Sequence, residues 1–446
     1  MPADDLEALR CFRTDLHGSF PRRADALFEL VDALLTAGPV ASLPHLSLQA
    51  AHRRGWGSLY DALAEGALDE VVLQGLLRQY AVGDGPAVYA LDQSVWPRCD
   101  AEASPDRGFY YHPSRHSAGQ PIVAGWAYQW LTQLNFTRDS WTTPLDVRRV
   151  HPTENANAVA VEQIQALLKR FPRDDAPPLF VFDAGYDSAQ LTQGLGEVPA
   201  AVLVRFRADR CFYADPPPAT RSPKGGRPRV HGAKFACKDP ATWPSPTAEH
   251  VVDDEQYGMV RVRSWAGLHP KQQHHPGRGT RKTRPIVRGT VVLVEVSRLP
   301  ARSYPPQILW LWWAGAGMPD RDLLWRAYVR RFDLEHTLRF LKQSLGWTTP
   351  RVRHPQQADR WTWLVVAAYT QLRLVRPWIA DRRLPWERPL KLGQLTPSRV
   401  RRALSALLPL VGTPATAPKP CGRSPGRPSG SRSGRATRSP ALKKAA

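Results

Sequence analysis

Four side chains have types and spacing suited to phosphoryl chemistry: Tyr328, Arg331, Glu335 and Lys342. At about 100° per residue with Tyr328 at zero, Arg331 falls near ~300°, Glu335 near ~340° and Lys342 near ~320°. One helix would therefore present all four on a narrow stripe. Ala327, Leu334, Leu338, Leu341 and Leu345 fall immediately beside it, between roughly 220° and 280°. Such an apolar face would dock the helix on a sheet and leave the polar stripe along the edge of a cleft. Two chemistries fit. One is a surface helix laced by i,i+4 ion pairs, each stabilising by only a few tenths of a kcal/mol. The other is a metal-ligating carboxylate whose cationic neighbours hold a phosphodiester.

Two more carboxylates bear on that choice. Asp92 ends the apolar run Ala87–Leu91, and Asp183 ends Leu179–Phe182. Both runs read as buried strands, and an unpaired carboxylate there would be costly. Asp187, Asp100 and Asp106 compete for the same roles, but Asp187 does not directly end the apolar run, and the other two lie in polar, loop-like sequence. Two aspartates and a glutamate suit hard, oxygen-preferring cations such as Mg²⁺. Two-metal phosphoryl transfer requires such a set. No P-loop, HExxH or nucleophile elbow competes for the role.

The elements that must position these residues are legible in outline. Residues 1–82 read as a helical N-terminal domain that could bind DNA, with Leu27, Val31 and Leu34 at helical spacing and a basic turn at His52–Trp56. Residues 86–208 alternate strands (Ala87–Asp92, Pro121–Leu134, around Val147–Val150, Leu179–Phe182, Ala201–Phe206) with one amphipathic helix, Asn155–Arg170, which indicates an α/β core. Residues 209–318 lack a helical period and read as a β-rich insertion with basic loops at Arg221–Lys238 and Lys271–Arg284. Residues 319–346 carry the four-residue stripe. Residues 347–412 read as C-terminal helices, including Gln356–Val375 and one opening at Thr396-Pro397. Residues 413–446, rich in Pro, Gly and Ser with no acid, read as a disordered basic tail.

Composition narrows the partners. The 446 residues include 61 lysines and arginines against 40 acids, a net charge of +21, which points to a polyanion such as nucleic acid. The five cysteines (Cys11, Cys99, Cys211, Cys237, Cys421) are scattered, so neither a disulfide framework nor a structural zinc site is expected. The N-terminus shows no apolar signal segment, and no apolar run reaches the ~20 residues of a membrane helix. The expectation is a cytoplasmic protein with no membrane partner, associated with the nucleoid when DNA-bound.

Tyr328, Arg331, Glu335 and Lys342 match the spacing of a Y-x2-R-x3-E-x6-K signature. With Asp183-Ala184-Gly185-Tyr186 and Leu91-Asp92-Gln93-Ser94, the chain resembles the DDE transposases of bacterial insertion sequences. The resemblance covers roughly residues 86–346. It implies a ribonuclease H-like core with Asp92 on the first strand, Asp183 after the fourth and Glu335 on a late helix, interrupted by a β-rich insertion. It implies that Asp92, Asp183 and Glu335 hold two Mg²⁺ ions, for which Mn²⁺ can substitute. Tyr328, Arg331 and Lys342 would contact DNA phosphates, positioning rather than reading sequence.

The implied reaction is cleavage at transposon ends in double-stranded DNA, then attack of the freed 3′-OH on target DNA. A homodimer is the expected synaptic complex, because two ends must be joined. Two further readings stay open: a structure-specific nuclease without strand transfer, and a transposase-derived DNA-binding protein without catalysis.

Overall fold

A computed structural model describes residues 3–81, 85–112, 119–170, 176–218, 229–271, 285–299, 307–420, 426, 428–432, 434 and 436–443. Of the basic loops expected, residues 221–228 of Arg221–Lys238 and all but Lys271 of Lys271–Arg284 lie outside these residues, and the first loop's described part includes a short strand, Lys234–Ala236.

In chain order, five helices come first: α1 (Ala3–Gly18), α2 (Ala24–Thr36), α3 (Leu43–Leu46), α4 (Gly57–Glu65) and α5 (Glu70–Gln79). Strands β1 (Val88–Pro97), β2 (Gly108–Tyr111), β3 (Ile122–Gln133) and β4 (Thr143–Val150) follow. Then come α6 (Ala156–Arg170), β5 (Leu179–Phe182), α7 (Ser188–Gly194) and β6 (Ala201–Phe206). Six strands succeed them: β7 (Cys211–Tyr213), β8 (Lys234–Ala236), β9 (Ala248–Asp254), β10 (Gly258–Pro270), β11 (Gly289–Val296) and β12 (Gln307–Ala314). The chain ends with α8 (Arg321–Arg330), α9 (Phe332–Gln343), α10 (Pro355–Val375) and α11 (Pro397–Val411). The class is mixed α/β. In chain order β1 to β4, α6, β5, α7 and β6 supply the strands and helices of the expected α/β core.

The chain divides into two compact units, and two of the four boundaries, 92/93 and 332/333, fall inside the segments that carry the candidate site. One unit holds residues 1–84, 93–155 and 333–446; the other holds 85–92 and 156–332.

In the first unit, β2 and β4 each pair antiparallel with β3, and β3 neighbours β1. The approach to β1 is close: a Cβ on Gly125 would stand 2.2 Å from the Trp96 carbonyl oxygen, so only glycine fits. Trp96, Trp130 and Trp347 are fully buried, with the Trp130 and Trp347 rings edge-on at 5.0 Å. α2, apolar on nearly every face, packs on α4, α10 and α11. The buried Arg13 guanidinium donates to both Asp32 oxygens at 2.7 and 2.9 Å and to Gln371 Oε1 at 2.8 Å. The basic turn is engaged by protein: Arg53 Nε donates to Glu29 Oε1 at 2.8 Å, Arg54 bonds Glu29 and Asp25, and His52 is buried.

Helix α10 is buried along most of its 21 residues. Among the described residues, no helix is long and apolar enough to cross a membrane. The described tail residues form no helix or strand and are mostly exposed. The expectation of disorder is modified at two places. The buried Ala415 accepts on its carbonyl from Arg53 Nη2 at 2.8 Å, and the Thr416 N–H donates to Asp25 Oδ1 at 3.1 Å. Ser439 and Leu442 donate backbone N–H groups to Glu102 O at 2.8 Å and Arg107 O at 2.6 Å, because that loop leaves carbonyls unpaired by any sheet.

In the second unit, the start of β1 pairs parallel with β5, and β5 pairs parallel with β6. Val88–Leu91 and all of β5 are buried, which is why both read as unbroken apolar runs. Antiparallel β12 covers the other edge of β6 and leads on to β11, β10, β7 and β8. This satisfies a strand edge that would otherwise be open. Trp310, Trp312 and Trp313 are buried, as core residues of this insertion.

Candidate metal and phosphate site

The parallel register places the two aspartates. Leu91 is the register partner of Phe182, the last pair of the ladder. Asp92 and Asp183 each come next in sequence: Asp92 lies inside β1, where its parallel pairing with β5 ends, and Asp183 directly follows β5. Parallel strands stand about 4.8 Å apart. A ring confirms the neighbourhood: the buried Tyr186 phenol is pushed well above its ordinary range by desolvation and then by the charges of Asp92 and Asp183.

The turn after β5 builds one half of this corner. The Gly185 N–H donates to Asp183 Oδ1 at 2.9 Å, and the Phe182 and Tyr186 rings meet at 5.0 Å. A Cβ on Gly185 would sit 3.1 Å from that same oxygen. Asp187, the sequence competitor of Asp183, is occupied differently. It caps α7, with Oδ1 accepting from the Ala189 N–H at 2.9 Å and the Gln190 N–H at 3.1 Å. Asp106 and Asp100 pair with Arg149 at 3.8 Å and Arg98 at 3.5 Å.

The other half comes from α8 and the residue after it. α8 opens on an Asp320 cap and packs on β5, β9 and β10. The single helix expected over 320–345 is two, with Arg331 at the junction in helical φ and ψ. Arg331 is 8% exposed, its Nη1 donates to Asp92 Oδ2 at 3.1 Å, and its guanidinium stands 5.6 Å from the Tyr328 ring centroid. The Tyr328 hydroxyl is buried without a hydrogen-bond partner among the described residues. Asp92, Asp183, Tyr186, Arg331 and Tyr328 thus form one cluster within the second unit.

Glu335 and Lys342 belong to the first unit. α9 carries Glu335 in its first turn and Lys342 in its last, the placement that complements a helix dipole. Leu334, Leu338, Leu341 and Leu345 are buried, as the apolar stripe required, and Thr337 Oγ1 meets Thr142 Oγ1 at 2.8 Å. Glu335 is half-buried, and the Lys342 ammonium stands 5.7 Å from the centre of the Trp347 ring. Among the described residues, no group of three or more His, Cys, Asp or Glu side chains is close enough to hold an ion.

Two neighbouring carboxylates are hard oxygen donors, and they fit a divalent cation. Arg331 partly neutralises the charge at Asp92. A cleft of about 790 Å³ adjoins the corner, lined by Gly185 and Asp187 on one side and by Arg205, Arg207, Arg210 and Lys271 on the other. Its exposed cations and apolar walls, Phe206, Phe212 and Ile286, suit a polyanion with flat rings. Sequence reading missed these cations, because they are scattered through a strand end and a loop with no motif. It also missed Tyr186 as a structural member of the corner, although the Asp-Ala-Gly-Tyr spacing could have revealed it.

A family model described as DDE superfamily endonuclease matches residues 15–279, more than half of the chain. The match includes Asp92 and Asp183 and ends before α8. A comparison with curated proteins finds no match.

Proposed function

The chain belongs to the DDE superfamily endonucleases, and from that membership we propose that it is a DNA transposase acting on the ends of its own mobile element. The observation that carries the proposal is the juxtaposition of Asp92 and Asp183, each one residue past the Leu91–Phe182 register pair of neighbouring strands, with Arg331 hydrogen-bonded to the first. DDE-type endonucleases act on DNA and use divalent metals; here Asp92, Asp183 and Glu335 would hold two Mg²⁺ ions, with Mn²⁺ as a substitute. Bound there, such ions supply Lewis-acid stabilisation to the attacking and leaving oxygens of a phosphodiester.

The protein groups do the rest. Arg331 exchanges part of its bond with Asp92 for a non-bridging phosphate oxygen, a charge-assisted contact its planar fork favours. The Tyr328 hydroxyl gives its unspent hydrogen bond to the same phosphate, and Lys342 would supply a further cation for DNA phosphates. The burial of Arg331 and Tyr328 keeps water from screening these contacts. The arginine-lined cleft receives the strand beyond the cut. Attack by water frees a 3′-OH, and the same groups then orient that hydroxyl toward a target phosphate. Two ends require two copies of the chain, so the active form is a homodimer on DNA. The place of action is the cytoplasm, at the nucleoid.

The test is strand joining. A pre-cleaved duplex with the element's terminal sequence and a free 3′-OH, incubated with protein, Mg²⁺ and a supercoiled plasmid, should yield covalently joined product. Cleavage of uncut flanks without any joining would favour a nuclease that lacks strand transfer.

A further inference from the structure

Between α10 and α11 the first unit displays a loop whose acids are spent internally and whose cations are not. Asp381 Oδ2 accepts from Arg399 Nη1 at 2.9 Å and from the Leu390 N–H at 3.2 Å. Glu387 accepts from Arg402 at 2.6 and 3.2 Å and from the Leu384 N–H at 2.7 Å. Arg402 and the Leu384 N–H hold the Glu387 carboxyl down at about 2. The same α11 arginines also fasten the loop backbone, Arg399 on the Arg388 carbonyl at 2.7 Å and Arg402 on the Arg382 carbonyl at 3.2 Å.

With both acids engaged, Arg382, Arg388 and Lys391 are exposed, and among the described residues no carboxylate pairs with them. Arg383 is exposed as well, one of its nitrogens donating to the Glu387 carbonyl at 3.0 Å. Among these cations Trp386 stands 79% exposed, beside Leu392 at 64%. A large ring held in water on a fastened loop gains nothing for folding, and exposed apolar groups rimmed by charge mark an interaction site. Cations interleaved with an aromatic ring match a nucleic-acid backbone.

We propose that the loop Asp381–Leu395 is a second DNA-docking surface, separate from the candidate catalytic residues, that grips duplex phosphates through Arg382, Arg388 and Lys391 and lays Trp386 against the exposed sugar and base edges. It rests on the DNA-acting reading of the family. Its contacts are to backbone, so it serves DNA of any sequence, as target capture requires.

The experiment uses the full chain and a fluorescently labelled random-sequence duplex, with anisotropy measured across a salt series. Arg382→Ala/Arg388→Ala/Lys391→Ala should lower the slope of log K against log salt by about 2.7, at about 0.9 per lost phosphate contact. Trp386→Ala should weaken binding about fivefold and leave the slope unchanged. Asp381, Glu387, Arg399 and Arg402 stay intact, so melting temperatures should match wild type. If the triple variant is unstable, the single Lys391→Glu variant should still reduce the slope.

Wild-type affinity and slope in all these variants would overturn the proposal. Cleavage of element ends is scored separately. A wild-type protein that cuts, with loop variants that bind normally, removes the docking surface alone. A wild-type protein that never cuts, with loop variants that lose binding, removes the catalytic reading alone.

Discussion

The Arg331 guanidinium donates to the Asp92 carboxylate at 3.1 Å, joining the residue after α8 to the middle of the first core strand. The bond sets a cation proposed to bind phosphate directly on a carboxylate proposed to bind metal. Removing it should therefore act in opposite directions on the two ligands. Arg331→Ala should tighten Mg²⁺ binding to the DNA-free protein by about tenfold, equivalent to ~1.4 kcal/mol. It should also weaken end-DNA binding and flatten its salt dependence by about one phosphate contact. Calorimetric Mg²⁺ titration and a salt series measure the two. Unchanged Mg²⁺ affinity with an unchanged salt slope would deny both roles.

Gly185 reports on the carboxylate it holds. A methyl group there would meet Asp183 Oδ1 at 3.1 Å, so that oxygen must yield by a few tenths of an ångström. Gly185→Ala should reduce cleavage on the order of tenfold, given that a full ångström costs about 100-fold. Melting temperature should change little, since the turn faces the cleft. Equal losses of stability and activity would show a folding defect instead.

Alkaline pH should destabilise the fold through its buried phenols. Burial, and then nearby carboxylates, push Tyr128 and Tyr186 well above the ordinary value of 10. Above that value the unfolded chain loses phenolic protons that the folded chain keeps. Stability should thus be intact below about pH 10 and fall steadily above it. Urea midpoints from neutral pH upward test this, with tyrosinate absorbance as the second probe. Tyr186→Phe should flatten the fall; a midpoint rising above pH 10 would reverse the sign.

The N-terminal and C-terminal helices should stand or fall together. Arg13 and Asp32 are both buried and bonded through two nitrogens, and Arg13 also bonds Gln371 of α10. Asp32→Ala leaves the guanidinium buried without its carboxylate and should cost about 3–5 kcal/mol. Denaturant midpoints would show it, with little change in the properties of the second unit's aromatic core.

Much of this architecture was legible, for identifiable reasons. β1, β5 and β6 are buried on both faces, so their apolar runs stand out without any alternation. α6 and α10 announce themselves by length. β7, β8 and β9 were not legible, since they are short and, in β9, exposed on alternate residues without apolar ones to mark the inner face. The helix over 320–345 was read as one, and its turn at Arg331 changes no residue's φ/ψ region, so nothing in the sequence marks it. Asp92 and Asp183 were identifiable because each ends an apolar run. The fate of Arg53 and Arg54 was hidden, because Glu29 and Asp25 come from a helix a turn of sequence reading cannot place.

Asp92, Asp183 and Glu335 carry the central claim, and one assay tests it most directly. DNA containing the gene's own flanks is incubated with protein in Mg²⁺ or EDTA, using wild type, Asp183→Asn and Glu335→Gln. Wild type should cut at discrete flank positions only with Mg²⁺. Both variants should fall by more than about 100-fold, beyond the 10–100-fold loss seen when even an outer partner of a metal is removed, while binding the ends as wild type does. Cutting that persists in EDTA, or in well-folded Asp183→Asn and Glu335→Gln proteins, would contradict the account.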